Sequence, residues 1–401
     1  MEKIDLRSLN YDELCAFMEE LGEKKFRAGQ VYDWLHVKLA SSIDEMTNLS
    51  KDLREKLKSK TTLVTLKSVE VLTSQIDGTS KYLFELPDGN IVESVLMLYK
   101  HGNSVCISTQ VGCRMGCKFC ASTLDGRVRN LEPSEMLEEV YEIQKLSGKR
   151  VSNVVLMGSG EPLDNFDNVL KFLDLISNDK GLNISERNLT LSTCGIVPKI
   201  YELADKELAI TLAISLHAAD DETRKSLMPI ANKYSIKEIM DACDYYYKKT
   251  GRRISFEYSL VSKVNDNLTE AKKLALLVEG KNCHINLIPV NPIKERDYKQ
   301  GTTEEILKFK NFLEKKRINV TIRKEITGRV FLRRINRVIM IERRSIMNAN
   351  GISPILAVIL TLVVAFLTVV LFRSHHIIWG IIFAIICVDF FADVILSFKK
   401  S

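Results

Sequence analysis

Three cysteines, Cys113, Cys117 and Cys120, stand within residues 112–121 with the spacing C-x3-C-x2-C. Thiolates this close in sequence can converge on one soft metal centre, and a cubane 4Fe-4S cluster needs a ligand for each of its four irons. Three cysteines therefore leave one iron open. An open iron beside S-adenosylmethionine can pass it an electron and split its sulfonium bond, which yields a carbon radical, and the protein only positions this chemistry.

The same cysteines have two other possible uses. Structural zinc usually shows paired C-x2-C knuckles, and the sequence has no second knuckle, so zinc stays open as the less favoured alternative. A disulfide framework is disfavoured further, because the chain is long and rich in Lys and Glu and because residues 1–25 are polar and charged, unlike a secretory signal. We therefore expect a reducing compartment.

Length and composition set wider limits. The chain has 401 residues, of which 46% are hydrophobic and 27% charged, so it can bury a full core, and we expect one large domain with smaller attachments. Its formal net charge of +6 permits a polyanionic partner without requiring one. Charge alone leaves RNA binding and no nucleic-acid binding equally open.

The cysteine loop needs a scaffold, and the apolar patterns from residue 104 onward supply one. Short strand-like runs are predicted at 104–109, 151–157, 188–193, 209–216, 253–261, 284–289 and 319–323. Amphipathic helices are predicted between them at 134–146, 168–176, 236–248, 269–278 and 303–315. This alternation predicts an α/β fold with a partial (βα)6-type, TIM-like barrel rather than a doubly wound sheet.

The remaining segments differ in pattern. Residues 1–60 are predicted to be helical, with Ser50 as an N-cap, and residues 63–99 to form two or three antiparallel strands with turns at Asp77-Gly78 and Asp88-Gly89. The predicted domains are an N-terminal accessory unit at 1–99, a core at 100–325, a basic linker at 326–346 and a hydrophobic helical hairpin at 347–401.

Chemically useful residues follow the predicted strands, where the sites of such barrels lie. The cysteine loop follows the first strand, residues 158–162 the second, 192–195 the third, 215–217 the fourth and 289–292 the sixth. Gly158 and Gly160 allow a close approach of the backbone to a ligand, and Glu161 offers a carboxylate for an ammonium group. Each element alone is ordinary, since a Gly-Ser-Gly turn is usually only a turn and a lone His217 usually satisfies a local hydrogen bond. Their joint placement indicates a site for S-adenosylmethionine.

With these loops in view, the chain resembles the RlmN and Cfr family of radical S-adenosylmethionine methyltransferases, which act on adenine in 23S ribosomal RNA. The resemblance covers about residues 9–325, and the motif sequences and the N-terminal unit are closer to RlmN than to Cfr. Matching motifs stand at 26–30, 77–79, 92–95, 106–113, 157–162, 191–195, 214–218 and 286–289. A second activity on transfer RNA is also implied.

The resemblance implies roles for single residues. Cys113, Cys117 and Cys120 would hold the 4Fe-4S cluster. The S-adenosylmethionine site would be lined by Gly160, Glu161, Ser192, Ser215, Leu216, His217 and Asn291. The catalytic residues would be Glu93 as proton acceptor, Met157 beside the reacting centre, and Cys106 as the thiol that resolves a covalent protein–RNA intermediate.

In the family, one S-adenosylmethionine methylates a C-terminal cysteine and a second yields the radical that removes hydrogen from that methyl group. The methylene radical adds to C2 of adenine, and the second thiol then releases the RNA by forming a disulfide with the methyl-carrying cysteine. Here residues 326–345 contain no cysteine where the family has Ala-Cys-Gly-Gln, and the next one, Cys387, lies in an apolar segment. The methyl-carrying residue is therefore missing from its usual place.

The C-terminal segment is foreign to the resemblance. Residues 354–372 carry no charge, and residues 377–396 are apolar except for Asp389 and Asp393, so each is long enough to cross a bilayer. Basic residues precede the first apolar segment and follow the second, which predicts that both ends of the hairpin stay in the cytoplasm. The alternative is a helical hairpin buried against the rest of the protein. Residues 347–350 resemble the start of a separate small membrane protein. A frameshift near codon 326 would therefore explain both the missing cysteine and the added apolar segments.

Two functional classes follow from these patterns. The first is a radical RNA methyltransferase acting on 23S rRNA, and on tRNA as a further substrate, that takes electrons from a donor such as flavodoxin or ferredoxin. The second is a catalytically impaired protein that binds cluster, cofactor and RNA and is fused to a membrane hairpin. We expect a monomer with a cytoplasmic catalytic part, tethered through residues 353–396 if the hairpin inserts.

Overall fold

The computed structural model describes residues 3–293 and 295–323 of the chain. Ten α-helices lie in this part: α1 (Tyr11–Glu20), α2 (Phe26–His36), α3 (Lys51–Lys60), α4 (Pro133–Ser147), α5 (Phe166–Ser177), α6 (Val197–Ala204), α7 (Asp221–Leu227), α8 (Ile236–Thr250), α9 (Leu268–Leu277) and α10 (Thr303–Lys315). Its strands are β1 (Ile4–Asp5), β2 (Thr61–Thr62), β3 (Lys67–Thr73), β4 (Ser80–Glu85), β5 (Ile91–Tyr99), β6 (Gly102–Cys106), β7 (Gln110–Gly112), β8 (Arg127–Asn130), β9 (Val151–Leu156), β10 (Leu189–Thr193), β11 (Thr211–Ser215), β12 (Ile254–Leu260), β13 (Cys283–Pro289) and β14 (Val320–Ile322).

Seven parallel strands form the main part of a ten-stranded sheet, in the order β6, β9, β10, β11, β12, β13, β14. Helices connect these strands, and along β10 and β13 buried, mostly apolar residues alternate with half-buried ones, so one face of these strands is more deeply buried than the other. Within the described residues the two edge strands, β3 and β14, do not pair with each other, so the barrel is open. The predicted partial α/β barrel is confirmed.

The antiparallel strands predicted for residues 63–99 are β3, β4 and β5, and they extend the same sheet through the pairing of β5 with β6. Gly78 and Gly89 have φ values of +71° and +83°, which the two predicted turns need and which glycine adopts without strain. The sheet thus runs across the predicted domain boundary at residues 99 and 100.

Side chains at the first residues of the helices fix where many of them begin. Asn10, Ser235 and Thr302 each accept a hydrogen bond from the backbone N–H three residues later, and a glutamate at that later position returns a bond to the cap. Such reciprocal pairs satisfy two backbone donors that the helix itself leaves free. Ser50 caps α3 as predicted, because its side chain accepts from the N–H of Leu53.

A buried ion pair fastens the N-terminal helices to the barrel. Arg7 and Glu138 of α4 pair with no exposed side-chain surface on either partner. Arg7 also donates to the carbonyl of Val64 at 2.7 Å, and Glu138 accepts from the N–H of Leu66. Burial raises the pKa of Glu138, and the guanidinium of Arg7 opposes that rise. The pair therefore links three separate segments of the chain.

Replacing Arg7 with methionine is expected to lower the free energy of unfolding by about 3–5 kcal/mol, since it leaves Glu138 buried without its counter-charge. The double variant Arg7→Met with Glu138→Leu should recover most of the loss. Urea unfolding measures both, with Lys237→Met as control, because Lys237 and Asp241 form an exposed ion pair and should contribute far less. A loss in Arg7→Met no larger than in the control would contradict this role.

Among the described residues, no helix is long and apolar enough to cross a bilayer. The two predicted spans, at 354–372 and 377–396, and the basic linker at 326–346 lie outside the described residues. They stay predictions.

Candidate functional site

The cysteine loop begins and ends at a short antiparallel ladder of β7 and β8. A Cβ on Gly112 would lie 2.0 Å from the carbonyl oxygen of Gly126, and Gly112 has a φ of +70°, so only glycine fits there. The N–H of Cys113 donates to the same oxygen at 2.8 Å. The ladder thus closes residues 113–126 into a loop that carries all three cysteines.

The three thiols of this loop are close enough to interact electrostatically. Cys113 and Cys117 are buried and Cys120 is half-buried. Burial is the main cause that raises the pKa of Cys113 to about 11 and that of Cys117 to about 12, and the neighbouring thiols of the loop raise both further. Because ligands must be thiolates, loading a cluster here would release protons.

Among the described residues, no group of three or more His, Cys, Asp and Glu side chains is arranged to hold a single metal ion. A 4Fe-4S cluster does not need such an arrangement, because each thiolate binds a different iron and the sulfur atoms are spread around the cube. Three soft donors, two of them buried, and no fourth thiol in the loop therefore fit a cluster with one open iron better than they fit zinc.

The loop after β9 lies against the segment that leads into the cysteines. A Cβ on Gly158 would be 2.6 Å from the carbonyl oxygen of Ile107, and one on Gly160 would be 2.7 Å from the Cβ of Gln110. Both glycines are thus required by packing between the two loops. Gln110 also accepts a hydrogen bond from the N–H of Glu161 at 2.9 Å.

Glu161 is almost completely buried at the end of β9. Its carboxylate accepts hydrogen bonds from the N–H of Cys194 at 2.7 Å and of Leu163 at 3.0 Å. Burial raises the pKa of Glu161, and these hydrogen bonds oppose the rise. A carboxylate has further lone pairs free to accept from a cationic ligand. Glu161 can therefore join the ends of β9 and β10 and still bind an ammonium group.

The ends of β10 and β11 hold four other residues predicted to bind the cofactor: Ser192, Ser215, Leu216 and His217. The backbone N–H groups of Leu216 and His217 both donate to the carbonyl of Glu257, at 3.0 and 3.2 Å. Asn291 follows β13 and is exposed, with β11 and β12 between its strand and β10. No described contact joins Asn291 to the other predicted residues.

His217 is buried and has a left-handed backbone, with φ +57°. Its Nδ1 accepts from the N–H of Ser259 at 2.9 Å, and burial lowers its pKa to about 3, so the imidazole is neutral. The ring of Phe119, which lies between two of the cysteines, meets the His217 ring edge-on at 4.8 Å. His217 thus packs against the cysteine loop.

The three predicted catalytic residues lie on adjacent strands or at their ends. Ser108, just past β6, donates through Oγ to the carbonyl of Glu93 at 2.9 Å, and the same Oγ accepts from the N–H of Ser159 at 3.1 Å. Cys106 is buried, and burial is the main cause that raises its pKa to about 11. The charge of Arg323 and a hydrogen bond with the backbone of Met157 oppose this rise in the pKa. The structure therefore brings Glu93, Cys106 and Met157 together.

Sequence reasoning missed several charged residues here. Lys81, with 3% of its side chain exposed, pairs with Glu93 at 2.6 Å. Glu139 of α4 is buried beneath the same group, where one carboxylate oxygen accepts from the N–H of Ser108 at 3.0 Å. Arg224 of α7 is buried beside Cys117 and Cys194. Nothing in the local sequence separates these residues from ordinary surface charges.

The described cysteines are all free thiols. The disulfide that the resemblance implies would form transiently, and its second cysteine has no counterpart among the described residues. It stays a prediction.

Comparison with known proteins gives matches over most of the chain. Residues 4–63 match the model of the ribosomal RNA large subunit methyltransferase N-terminal domain, and residues 107–275 match that of the radical SAM superfamily. A probable dual-specificity RNA methyltransferase RlmN from Lachnospira eligens is 68% identical over 322 residues, which are 80% of this chain and 92% of the relative. One of the same description from Lachnoclostridium phytofermentans is 63% identical over 81% of this chain and 91% of its own.

A solved structure is also similar. The crystal structure of a radical SAM methyltransferase from Sphaerobacter thermophilus is 37% identical and superimposes with a TM-score of 0.78. The match covers 82% of this chain and 97% of that one.

Proposed function

This chain belongs to the RlmN family of radical S-adenosylmethionine RNA methyltransferases, and we propose that it methylates C2 of an adenine in 23S ribosomal RNA. The family uses one 4Fe-4S cluster and S-adenosylmethionine. The observation that carries the proposal is the grouping of Cys106, Met157 and Glu93, in a chain that also carries three thiols on one short loop.

The chemistry of the target explains why such a group is needed. C2 of adenine is electron-poor, so it does not attack an electrophilic methyl group, whereas a carbon radical can add to it. When bound at Cys113, Cys117 and Cys120, the cluster supplies the electron that splits the sulfonium bond of S-adenosylmethionine. The chain's own residues then have to orient the cofactor, move one proton and release the product.

Each of these tasks has a candidate among the described residues. Glu161 would hold the ammonium group of the cofactor, and the neutral His217 would keep the adjacent backbone in place. Glu93 would accept the proton from C2, with the ammonium of Lys81 at 2.6 Å to stabilise the carboxylate. Cys106 would release the RNA: its thiolate sulfur bonds to the sulfur of the methyl-carrying cysteine, the carbon–sulfur bond of that cysteine breaks, and the carbon keeps the electron pair and takes up a proton to become the methyl group.

The buried position of Cys106 has a consequence for this last step. A thiol with a pKa near 11 is almost entirely protonated at neutral pH, so it does not react with oxidants or other thiols at random. Loss of its proton must accompany the attack. Arg323 is the cation that favours the thiolate of Cys106.

The assignment of C2 is tested by product analysis. The protein is reconstituted with iron and sulfide without oxygen and incubated with reductant, S-adenosylmethionine and 23S ribosomal RNA, and the RNA is digested to nucleosides. The methylated product is expected to be 2-methyladenosine, identified by mass spectrometry against both methyladenosine standards. Formation of 8-methyladenosine would overturn the assignment.

A second candidate function is favoured by the sequence after residue 325. No cysteine occurs between Cys283 and Cys387, although the proposed mechanism needs a second thiol. The chain would then bind cluster, cofactor and RNA and form 5′-deoxyadenosine without methylating RNA. A shifted frame after codon 325 that encodes a Cys-Gly-containing tail ending before codon 347 would support a frameshift as the cause.

The partners follow from the same proposal. The named relatives are dual-specificity RNA methyltransferases, which supports transfer RNA as a second substrate of this chain. We also propose that a flavodoxin or ferredoxin reduces the cluster and that the protein acts as a monomer.

A further inference from the structure

Arg224 of α7 ties together the two loops that are predicted to hold the cofactor. The side chain has no exposed surface. Its Nε donates to the carbonyl of Leu216 at 3.1 Å, and its Nη2 donates to the carbonyls of Cys194 at 2.7 Å and Ser215 at 3.3 Å. One planar guanidinium thus spans the ends of β10 and β11, which is the kind of contact that the Arg fork suits.

The third nitrogen of this guanidinium is different. Nη1 is buried and has no hydrogen-bond partner within the described residues. Asp221 on the same helix favours the charge of Arg224 but makes no hydrogen bond to its guanidinium, and it accepts from the N–H of Ile236 at 2.8 Å. A buried cation without a counter-charge is costly, so such a residue usually has a negative partner when the protein is complete.

Besides Asp221, the ionisable groups that act on Arg224 are the thiols of Cys194 and Cys117. Burial lowers the pKa of Arg224, and the thiols of Cys194 and Cys117, when ionised, oppose that effect. Arginine remains protonated at any physiological pH, so the guanidinium carries its charge in this setting. Cys117 becomes a thiolate when it binds iron, whereas Cys194 is hydrogen-bonded to Glu161 and keeps its proton. The N–H of Lys118, which follows Cys117, donates to the carbonyl of Leu227 at the end of α7 at 2.9 Å, so this helix lies against the cysteine loop. The loaded cluster therefore brings a further negative charge close to Arg224.

We propose that Arg224 is a positioning residue that balances the charge of the cluster at Cys117 and makes the cluster easier to reduce. Reduction adds one negative charge to a site with little water around it, and a fixed cation nearby stabilises the reduced form more than the oxidised one. Net charge and surroundings are what set the potentials of such clusters. The proposal rests on the family's cluster and not on which atom of the RNA is methylated.

The test measures the midpoint potential of the reconstituted full-length protein by electron paramagnetic resonance, without RNA and without S-adenosylmethionine. In Arg224→Gln, the equilibrium constant for one-electron reduction is expected to fall at least about tenfold, which is a shift of about 59 mV to lower potential. Arg224→Lys keeps the charge and should lie near the unchanged protein. Lys118→Gln removes an exposed charge from the same loop and should shift the potential far less.

The outcomes separate a charge effect from a structural one. An unchanged potential in an Arg224→Gln variant that holds its full iron and sulfide would overturn the proposal. If Arg224→Gln loads no cluster, Arg224→Lys decides: a loaded cluster at the original potential supports the role of the charge. Loss of the cluster in both variants would assign Arg224 a purely structural role through its hydrogen bonds to the carbonyls. Failure of RNA methylation in any of these proteins leaves the comparison of potentials intact.

Discussion

Replacing Cys117 with alanine is expected to abolish formation of 5′-deoxyadenosine from S-adenosylmethionine. Cys117 is a buried, predicted ligand at the middle of the three cysteines, and its thiol interacts with those of Cys113 and Cys120. Two thiolates leave a second iron of the cube without a protein ligand, so the cluster should be lost or unable to accept an electron at the potential of the donor. Iron and sulfide content, the brown colour of the anaerobic protein and chromatography of the nucleoside product measure the effect.

Cys243→Ala is the matched control. Cys243 is equally buried but belongs to the core under α8, so its loss removes a sulfur atom without touching the loop. It should keep both the cluster and the cleavage of S-adenosylmethionine. If Cys117→Ala retains a full cluster and cleavage, or if the unchanged protein takes up zinc in preference to iron, the assignment of the three cysteines is wrong.

Much of the scaffold could be predicted because its local signals agree with its tertiary structure. The parallel strands are short apolar runs, and their bounds differ from the predictions by only a few residues, as in β13 and β9. The long helices carry reciprocal caps and apolar stripes, and α10 begins and ends where it was predicted. Hydrophobic periodicity indicates such helices and strands without knowledge of their tertiary contacts.

Two short helices were not predicted, for a physical reason. Helix α6 is eight residues long and α7 is seven, and helices this short are not stable in water without tertiary contacts. They are held by what they pack against: α6 against α8, and α7 through Arg224 against the ends of β10 and β11. Tertiary contacts rather than local preference determine them.

The buried charges could not be predicted either, since a sequence does not reveal which charged residues lose their water. Glu138 and Glu139 are neighbours on α4 and both are buried, one against Arg7 and the other beneath Ser108. In the sequence they look like the solvated face of an amphipathic helix. Their partners lie far away along the chain, so only the fold assigns them.

The sequence also predicted the site only in part: it identified residues but not their contacts. Spacing identified the three thiols, and strand ends identified Glu161 and His217, because the rule for parallel barrels places functional residues there. The rule gives the edge of the sheet but not the contacts across it. The hydrogen bond from Cys194 to Glu161 and the contact of Phe119 with His217 needed the structure.

The largest gain in activity is expected from the C-terminal tail. Under the second candidate function, exchange of residues 326–401 for a tail that contains Ala-Cys-Gly-Gln should raise the amount of 2-methyladenosine per 5′-deoxyadenosine by roughly a hundredfold or more, because covalent transfer without its carrier residue loses the whole step. Cys106 is already in place beside Met157 and Glu93, and the missing partner is the second thiol. Mass spectrometry of digested RNA, with the nucleoside by-product quantified in the same reaction, gives the ratio.

The same tail with Ala-Ala-Gly-Gln is the control, since it differs from the active tail by one sulfur atom. It should cleave S-adenosylmethionine and leave the RNA unmethylated, as radical formation depends on the cluster and not on the tail. Adding Cys106→Ser to the cysteine-bearing protein should then trap a covalent complex with RNA, because the bond to the carrier can form but the thiol that breaks it is absent. Equal methylation by the two tails would show that this chain does not use a methyl-carrying cysteine, and free methylated RNA from the Cys106→Ser protein would remove Cys106 from the release step.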